Sequence, residues 1–184
     1  HQEERLEHEL DQLKEAGSPC NGCGGYPEYD QVTGLPSFNR FREEIDSVIA
    51  SGKGEDCLLV YTDLENFKYF NKKYGYAAGD QLLREFTGYI IDTLKKCNTA
   101  HFTRVVADQF ILFFEEKWKD SSIDAINRIN NGFIERQQKK YPEAKLRLRT
   151  GVYKVEKDCG GASFAIDAAN YARHQIQDNS SKTV

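Results

Sequence analysis

Asp63 and Asp108 are the residues from which chemistry could start. Asp63 ends an apolar run, "CLLVYTDL" (57–64), and Asp108 stands between two apolar runs in "HFTRVVADQFILFF" (101–114). A carboxylate at the end of a buried strand, just before a helix, can hold Mg²⁺, and Mg²⁺ bridges phosphate oxygens. The unpaired N–H groups of such a helix start suit a phosphate. If the strands around Asp108 neighbour the 57–63 strand, the two carboxylates come together. Two carboxylates sharing one Mg²⁺ belong to phosphoryl transfer. A helix cap at Asp63 and a solvated turn at Asp108 account for the same spacing without chemistry. Lys68 and Asn71 share a helical face, which a solvated polar surface also explains. Asp80 sits in the first turn of the next helix, where an acid favours the dipole.

These residues need elements to position them. Residues 37–50 predict a helix with Phe41, Ile45, Val48 and Ile49 on one face. The run 57–64 predicts a buried strand. Residues 65–75 predict a short helix with Phe67, Phe70 and Tyr74 inward, and residues 77–96 a longer one. In the longer one Leu82, Phe86, Ile90 and Leu94 recur every four residues. Residues 101–114 predict an antiparallel hairpin. Residues 121–140 predict a helix, 144–155 an alternating strand and 163–177 a closing helix. Strands alternating with helices, plus one hairpin, predict an α/β domain (α+β) with a central mixed sheet covered by helices.

That domain is expected over residues 30–178, with a tail at 179–184. Residues 1–16 carry Leu6, Leu10 and Leu13 as a narrow apolar stripe, a short coiled-coil-like signalling helix. Residues 17–29 predict a linker rich in Gly and Pro. Its Cys20 and Cys23 form a C-x-x-C. A structural zinc needs about four ligands, and no second pair follows, so a reduced linker is the expectation. The chain opens inside a helical pattern and is expected to be a piece of something longer.

Composition narrows the function classes. The 184 residues carry a net charge of −4 and are 39% hydrophobic and 29% charged. That balance gives no electrostatic footprint for nucleic acid. No apolar stretch approaches the length of a membrane span, so no direct membrane contact is expected from this segment. Five cysteines, an odd number, predict reduced thiols and the cytoplasm, which leaves room for a cytoplasmic part of a membrane-attached protein.

Several stretches, taken in order, carry a resemblance. "DLENFKYFNKKYGYAAGDQLL" is similar to the D-x-D-x-F-K-x-x-N-D-x-x-G-H-x-x-G-D-x-x-L pattern of the diguanylate cyclase (GGDEF) family. "VTGLPSFNRF" resembles that family's L-T-G-L-P-N-R-x-x-F, and "RVVADQF" falls where the family has R-x-G-G-D-E-F. "RTGVY" resembles its S-x-G-V, and "DAANYARH" its A-D-x-A-L-Y-x-A-K. The resemblance implies a fold like the palm of nucleotidyl cyclases. It also implies cyclic di-GMP made from two GTP, one bound to each half of a dimer. Asp63 and Asp108 would then bind the metal, Mg²⁺, with Asp108 also activating the ribose 3′-hydroxyl. Lys68 would reach the terminal phosphate, and Asn71 and Asp80 would pair with the guanine edge.

The departures from that pattern bear on activity. Val106 and Ala107 replace the two signature glycines, and Gln109 replaces the glutamate. Glu65 replaces the second Asp of D-x-D, and Ser37-Phe38 replace Asn-Arg. His174 stands where the family has a phosphate-binding Lys, and Asp178 near the place of an Arg. Cys97 and Ala100 fall where the family's product-inhibition motif would place Arg and Asp. The expectation is a catalytically silent GGDEF domain in bacterial cyclic di-GMP signalling. It would bind GTP or GDP, with Mg²⁺ as a possible companion, as a regulatory module with fused or partner signalling domains or as a homodimer. A weak diguanylate cyclase, or a structural dimerisation domain that binds no nucleotide, are the alternatives.

Overall fold

The computed structural model describes residues 27–97, 99–176 and 184. The expected helix at 1–16, most of the linker including Cys20 and Cys23, Asp178 and all of the tail but its last residue lie outside these.

Among the described residues, four strands and five helices follow in chain order. They are α1 (Phe38–Ala50), β1 (Cys57–Glu65), α2 (Phe67–Tyr74), α3 (Tyr76–Leu94) and β2 (Ala100–Val106). After them come β3 (Gln109–Lys117), α4 (Ser122–Lys140), β4 (Arg147–Lys154) and α5 (Ala162–His174). Ser37, one of the departures from the family pattern, caps α1 by accepting from the Arg40 N–H at 3.2 Å.

The sheet order is β2-β3-β1-β4, and every pairing in it is antiparallel. The sequence pattern predicted a mixed sheet, and the difference lies in strand order. Strands joined through helices run parallel to each other, β1 with β2 and β3 with β4. In neither pair are the two adjacent, because β3 lies between the first two and β1 between the second two. This is the split arrangement of ferredoxin-like sheets.

Helices cover both faces, which is why β1 reads as a continuous apolar run rather than an alternating one. On one face Val60, Leu64, Phe102, Phe110 and Leu112 pack against Phe70, Leu82, Phe86 and Phe133 from α2, α3 and α4. Phe86 meets Phe110 and Phe133 edge-on, with ring centres 4.9 and 5.1 Å apart. Each fully buried phenylalanine of this kind contributes about 1.5–3 kcal/mol. On the other face Leu59, Tyr61, Ile111 and Phe113 pack against Phe41 and Ile45 of α1 and Ala162, Ala165 and Ala169 of α5. Small residues on α5 let it approach closely. At Gly151 of β4 an added Cβ would stand 2.0 Å from the Ala169 carbonyl oxygen and 2.3 Å from the Arg173 nitrogen. The helix backbone therefore rests on the strand there, and the position of Arg173 is fixed by it.

Candidate functional site

Asp63 lies within β1, two residues short of its end at Glu65. The spacing had placed it directly before a helix, but Leu64 and Glu65 continue the strand, and Asn66 turns the chain in a left-handed conformation at φ 68°. Asp63 is therefore no helix cap. Its register partners are Gln109 on β3 and Arg149 on β4. The hairpin does neighbour β1, as expected.

Asp108 sits in the two-residue turn between β2 and β3. Ala107, at φ 49°, takes the left-handed conformation that the second signature glycine would take without strain. Val106 does not share that conformation; it ends β2 with its side chain exposed. Arg104 holds the turn, donating from Nε to the Ala107 carbonyl at 2.7 Å and from Nη1 to Asp30 at 3.2 Å. Asp108 reaches back to β1 and accepts from the Leu64 N–H at 3.1 Å. Burial first, and then the negative charge of Asp63, push its carboxyl up from 3.8 to about 6.

Asp63 is 5% exposed and held by two arginines. Arg149 donates from Nε to Oδ1 at 3.2 Å and from Nη2 to Oδ2 at 2.8 Å, a bidentate pair. Arg173, itself 4% exposed, donates from Nη1 to Oδ2 at 2.7 Å. The Arg173 guanidinium lies 4.8 Å from the centre of the Tyr61 ring and is further held by Asn170 Oδ1 at 2.7 and 3.1 Å. Breaking a buried pair of this kind from one side costs about 3–5 kcal/mol, because the other charge is stranded. Glu65 repeats the arrangement one step along the strand. Its register partner is Arg147, with the charged groups 3.4 Å apart. The acidic D-x-E of β1 thus faces an R-x-R on β4, residue for residue.

Neither Arg149 nor Arg173 is among the residues singled out from the sequence. The signal was present. Arg149 occupies the Ser position of S-x-G-V, and Arg173 the last Ala position in A-D-x-A-L-Y-x-A-K. A long cation where the pattern has a small side chain should draw the eye.

A cleft of about 600 Å³ opens beside the two carboxylates. Asp63, Glu65, Asp108, Lys68, Lys72 and Arg149 are among the residues that line it. Lys68 is exposed. Asn71 and Asp80 do not line this cleft; they lie at the corner between α2 and α3. Asn71 is buried against Gly79, the residue before Asp80, and its Oδ1 accepts no hydrogen bond among the described residues. A Cβ on Gly79 would stand 1.8 Å from that oxygen. The glycine therefore makes the room that seats Asn71 beside Asp80. His174, in place of the family's Lys, is exposed at the end of α5, its Nε2 3.3 Å from Arg173 Nη2.

The donor set does not fit a divalent cation. Both oxygens of Asp63 accept from guanidinium groups, and a cation placed there would meet two positive charges at close range. The expected sharing of Mg²⁺ by Asp63 and Asp108 would need Asp63 oxygens that are here taken by Arg149 and Arg173.

Comparison with known proteins fits this geometry. The family model described as "Diguanylate cyclase, GGDEF domain" matches residues 28–182. The chain belongs to that family. It is 36% identical over 83 residues to the cyclic di-GMP phosphodiesterase PdeR of Escherichia coli, covering 45% of this chain and 12% of that protein. It is 25% identical over 169 residues to the diguanylate cyclase DgcP of the same organism, covering 84% of this chain and 46% of that protein. The chain thus spans less than half the length of either relative. Among solved structures it is similar to the coiled coil and GGDEF domain of DgcB from Caulobacter crescentus, in complex with c-di-GMP. The TM-score is 0.70 at 19% identity, covering 94% of this chain and 87% of that one. At that identity the likeness is one of fold.

Proposed function

We propose that this chain is a catalytically silent GGDEF domain that binds a guanine nucleotide as a regulatory module in bacterial cyclic di-GMP signalling. The observation that carries the proposal is the double arginine clamp on Asp63. Cyclisation needs an activated 3′-hydroxyl and a stabilised triphosphate leaving group. With Asp63 neutralised by guanidinium groups, and with Gln109 in place of the signature glutamate, the site lacks the means for both.

Nucleotide binding rests on other residues. Asn71 has a buried amide oxygen with no partner among the described residues, packed against Gly79, the residue before Asp80. Asp80 only accepts hydrogen bonds, which suits the N1–H and 2-amino group of guanine. Adenine offers no such pair of donors. Output would then come from domains fused to this one or docked on it, or from a homodimer, in the cytoplasm. No described helix is long and apolar enough to cross a membrane.

Calorimetric titration with GDP, GTP and ATP tests the proposal. GDP and GTP should bind with similar, modest affinity, and ATP about tenfold more weakly or worse. Incubation with GTP should yield no cyclic di-GMP by chromatography. Equal binding of ATP and GTP, or clear product, would reject it.

A further inference from the structure

We infer that Arg149 and Arg173 take the place of the divalent cation, so that the cleft beside Asp63 receives the phosphates of a nucleotide directly, without metal. The inference rests on the nucleotide-binding reading above and deepens it.

The charge of the cleft supports it. Lys68, Lys72 and Arg149 line the cleft together with Asp63, Glu65 and Asp108. Behind them Arg147 pairs with Glu65, and Arg173 with Asp63. Three cationic side chains thus line the cleft beside three carboxylates, two of which are neutralised from behind by Arg147 and Arg173. A divalent ion needs carboxylate oxygens open to it, and both oxygens of Asp63 accept from guanidinium groups. A phosphate needs cationic groups that reach the cleft, which Lys68, Lys72 and the quarter-exposed Arg149 supply, and a guanidinium matches its oxygens two at a time.

The two arginines are also held in place. Arg173 is buried, hydrogen-bonded to Asn170 and stacked on Tyr61. Its backbone is seated on β4 by the bare Cα of Gly151. Arg149 is fixed by its register opposite Asp63, with its side chain a quarter exposed toward the cleft. A positive charge that is already in place costs no ordering when the anion arrives.

The test uses Mn²⁺ as a spectroscopic probe and GDP as the anion. The chain should give no bound Mn²⁺ signal by electron paramagnetic resonance. Its GDP affinity should agree within about twofold between excess EDTA and millimolar Mg²⁺. The Arg149→Ser/Arg173→Ala double variant should gain Mn²⁺ binding and lose about tenfold or more of its GDP affinity in EDTA. If the loss of Arg173 unfolds the chain by circular dichroism, Arg149→Ser alone serves, read by its loss of GDP affinity in EDTA, since Arg173 still occupies Asp63. Stoichiometric Mn²⁺ uptake by the unmodified chain, or GDP binding that disappears in EDTA, overturns the inference. If the unmodified chain binds neither GDP nor GTP, the phosphate part falls with the nucleotide reading. The exclusion of metal then still stands or falls on the Mn²⁺ signal.

Discussion

The Tyr61 hydroxyl donates to Gln109 Oε1 at 2.7 Å, diagonally across β1 and β3. Gln109 is thus a fixed neutral partner in a half-buried corner. The phenol's own pKa is raised there, chiefly by burial. Restoring the signature letter therefore does not restore the signature's surroundings.

Gln109→Glu should give no cyclic di-GMP from GTP by chromatography, because Asp63 remains clamped. It should also push the Asp108 carboxyl further up by adding a third negative charge nearby, readable by NMR titration. Clear product from this single variant would show that the clamp is not what silences the site.

Asp108 sets a pH dependence of stability. Its folded-state carboxyl stands at about 6, above its ordinary 3.8, so the neutral form favours the fold. That contribution is complete below the ordinary value and is lost as pH rises through about 6. Asp108→Asn stays neutral and keeps an acceptor for the Leu64 N–H. It should stabilise the chain at about pH 7 by about 1–3 kcal/mol and give little gain at about pH 4. Urea unfolding at the two pH values decides this, and an equal effect at both would contradict it.

Gly79→Ala should separate stability from recognition. Its Cβ would meet the end of the Asn71 side chain, which can rotate away, rather than backbone. Alanine also favours helix by about 1 kcal/mol. The unfolding midpoint should therefore move little, whereas the preference for GTP over ATP should be lost in calorimetry. Retained guanine preference would place recognition elsewhere.

Gly151→Ala should act in the other direction. Here the added Cβ meets backbone, the Ala169 oxygen and the Arg173 nitrogen, so α5 itself must move off β4. The cost should be about 1–3 kcal/mol or more in urea unfolding. A variant as stable as the unmodified chain would mean that the helix is not seated there.

The helices and strands were legible because their signals are local. The four-residue recurrence in α3 and the unbroken apolar run of β1 each specify an element without reference to the rest. Strand order is not local, and the expected mixed sheet failed for that reason. The same limit hid the clamp. Asp63-x-Glu65 and Arg147-x-Arg149 are complementary only once the register brings β4 against β1. Arg173 joins them only once Gly151 lets α5 settle. The turn at 107–108 was legible in kind, but its strain falls on Ala107 rather than Val106, which only backbone angles reveal.

The Asp63 carboxylate accepts from two arginines that come from different elements, one a strand and the other a helix. Either can be lost while the other still occupies the carboxylate. The arrangement is thus redundant, and redundancy acts like a latch. A lineage carrying it cannot recover an ion-binding carboxylate by one substitution. It needs two changes, far apart in the chain, and the first brings no return of function while stripping a buried acid of half its support.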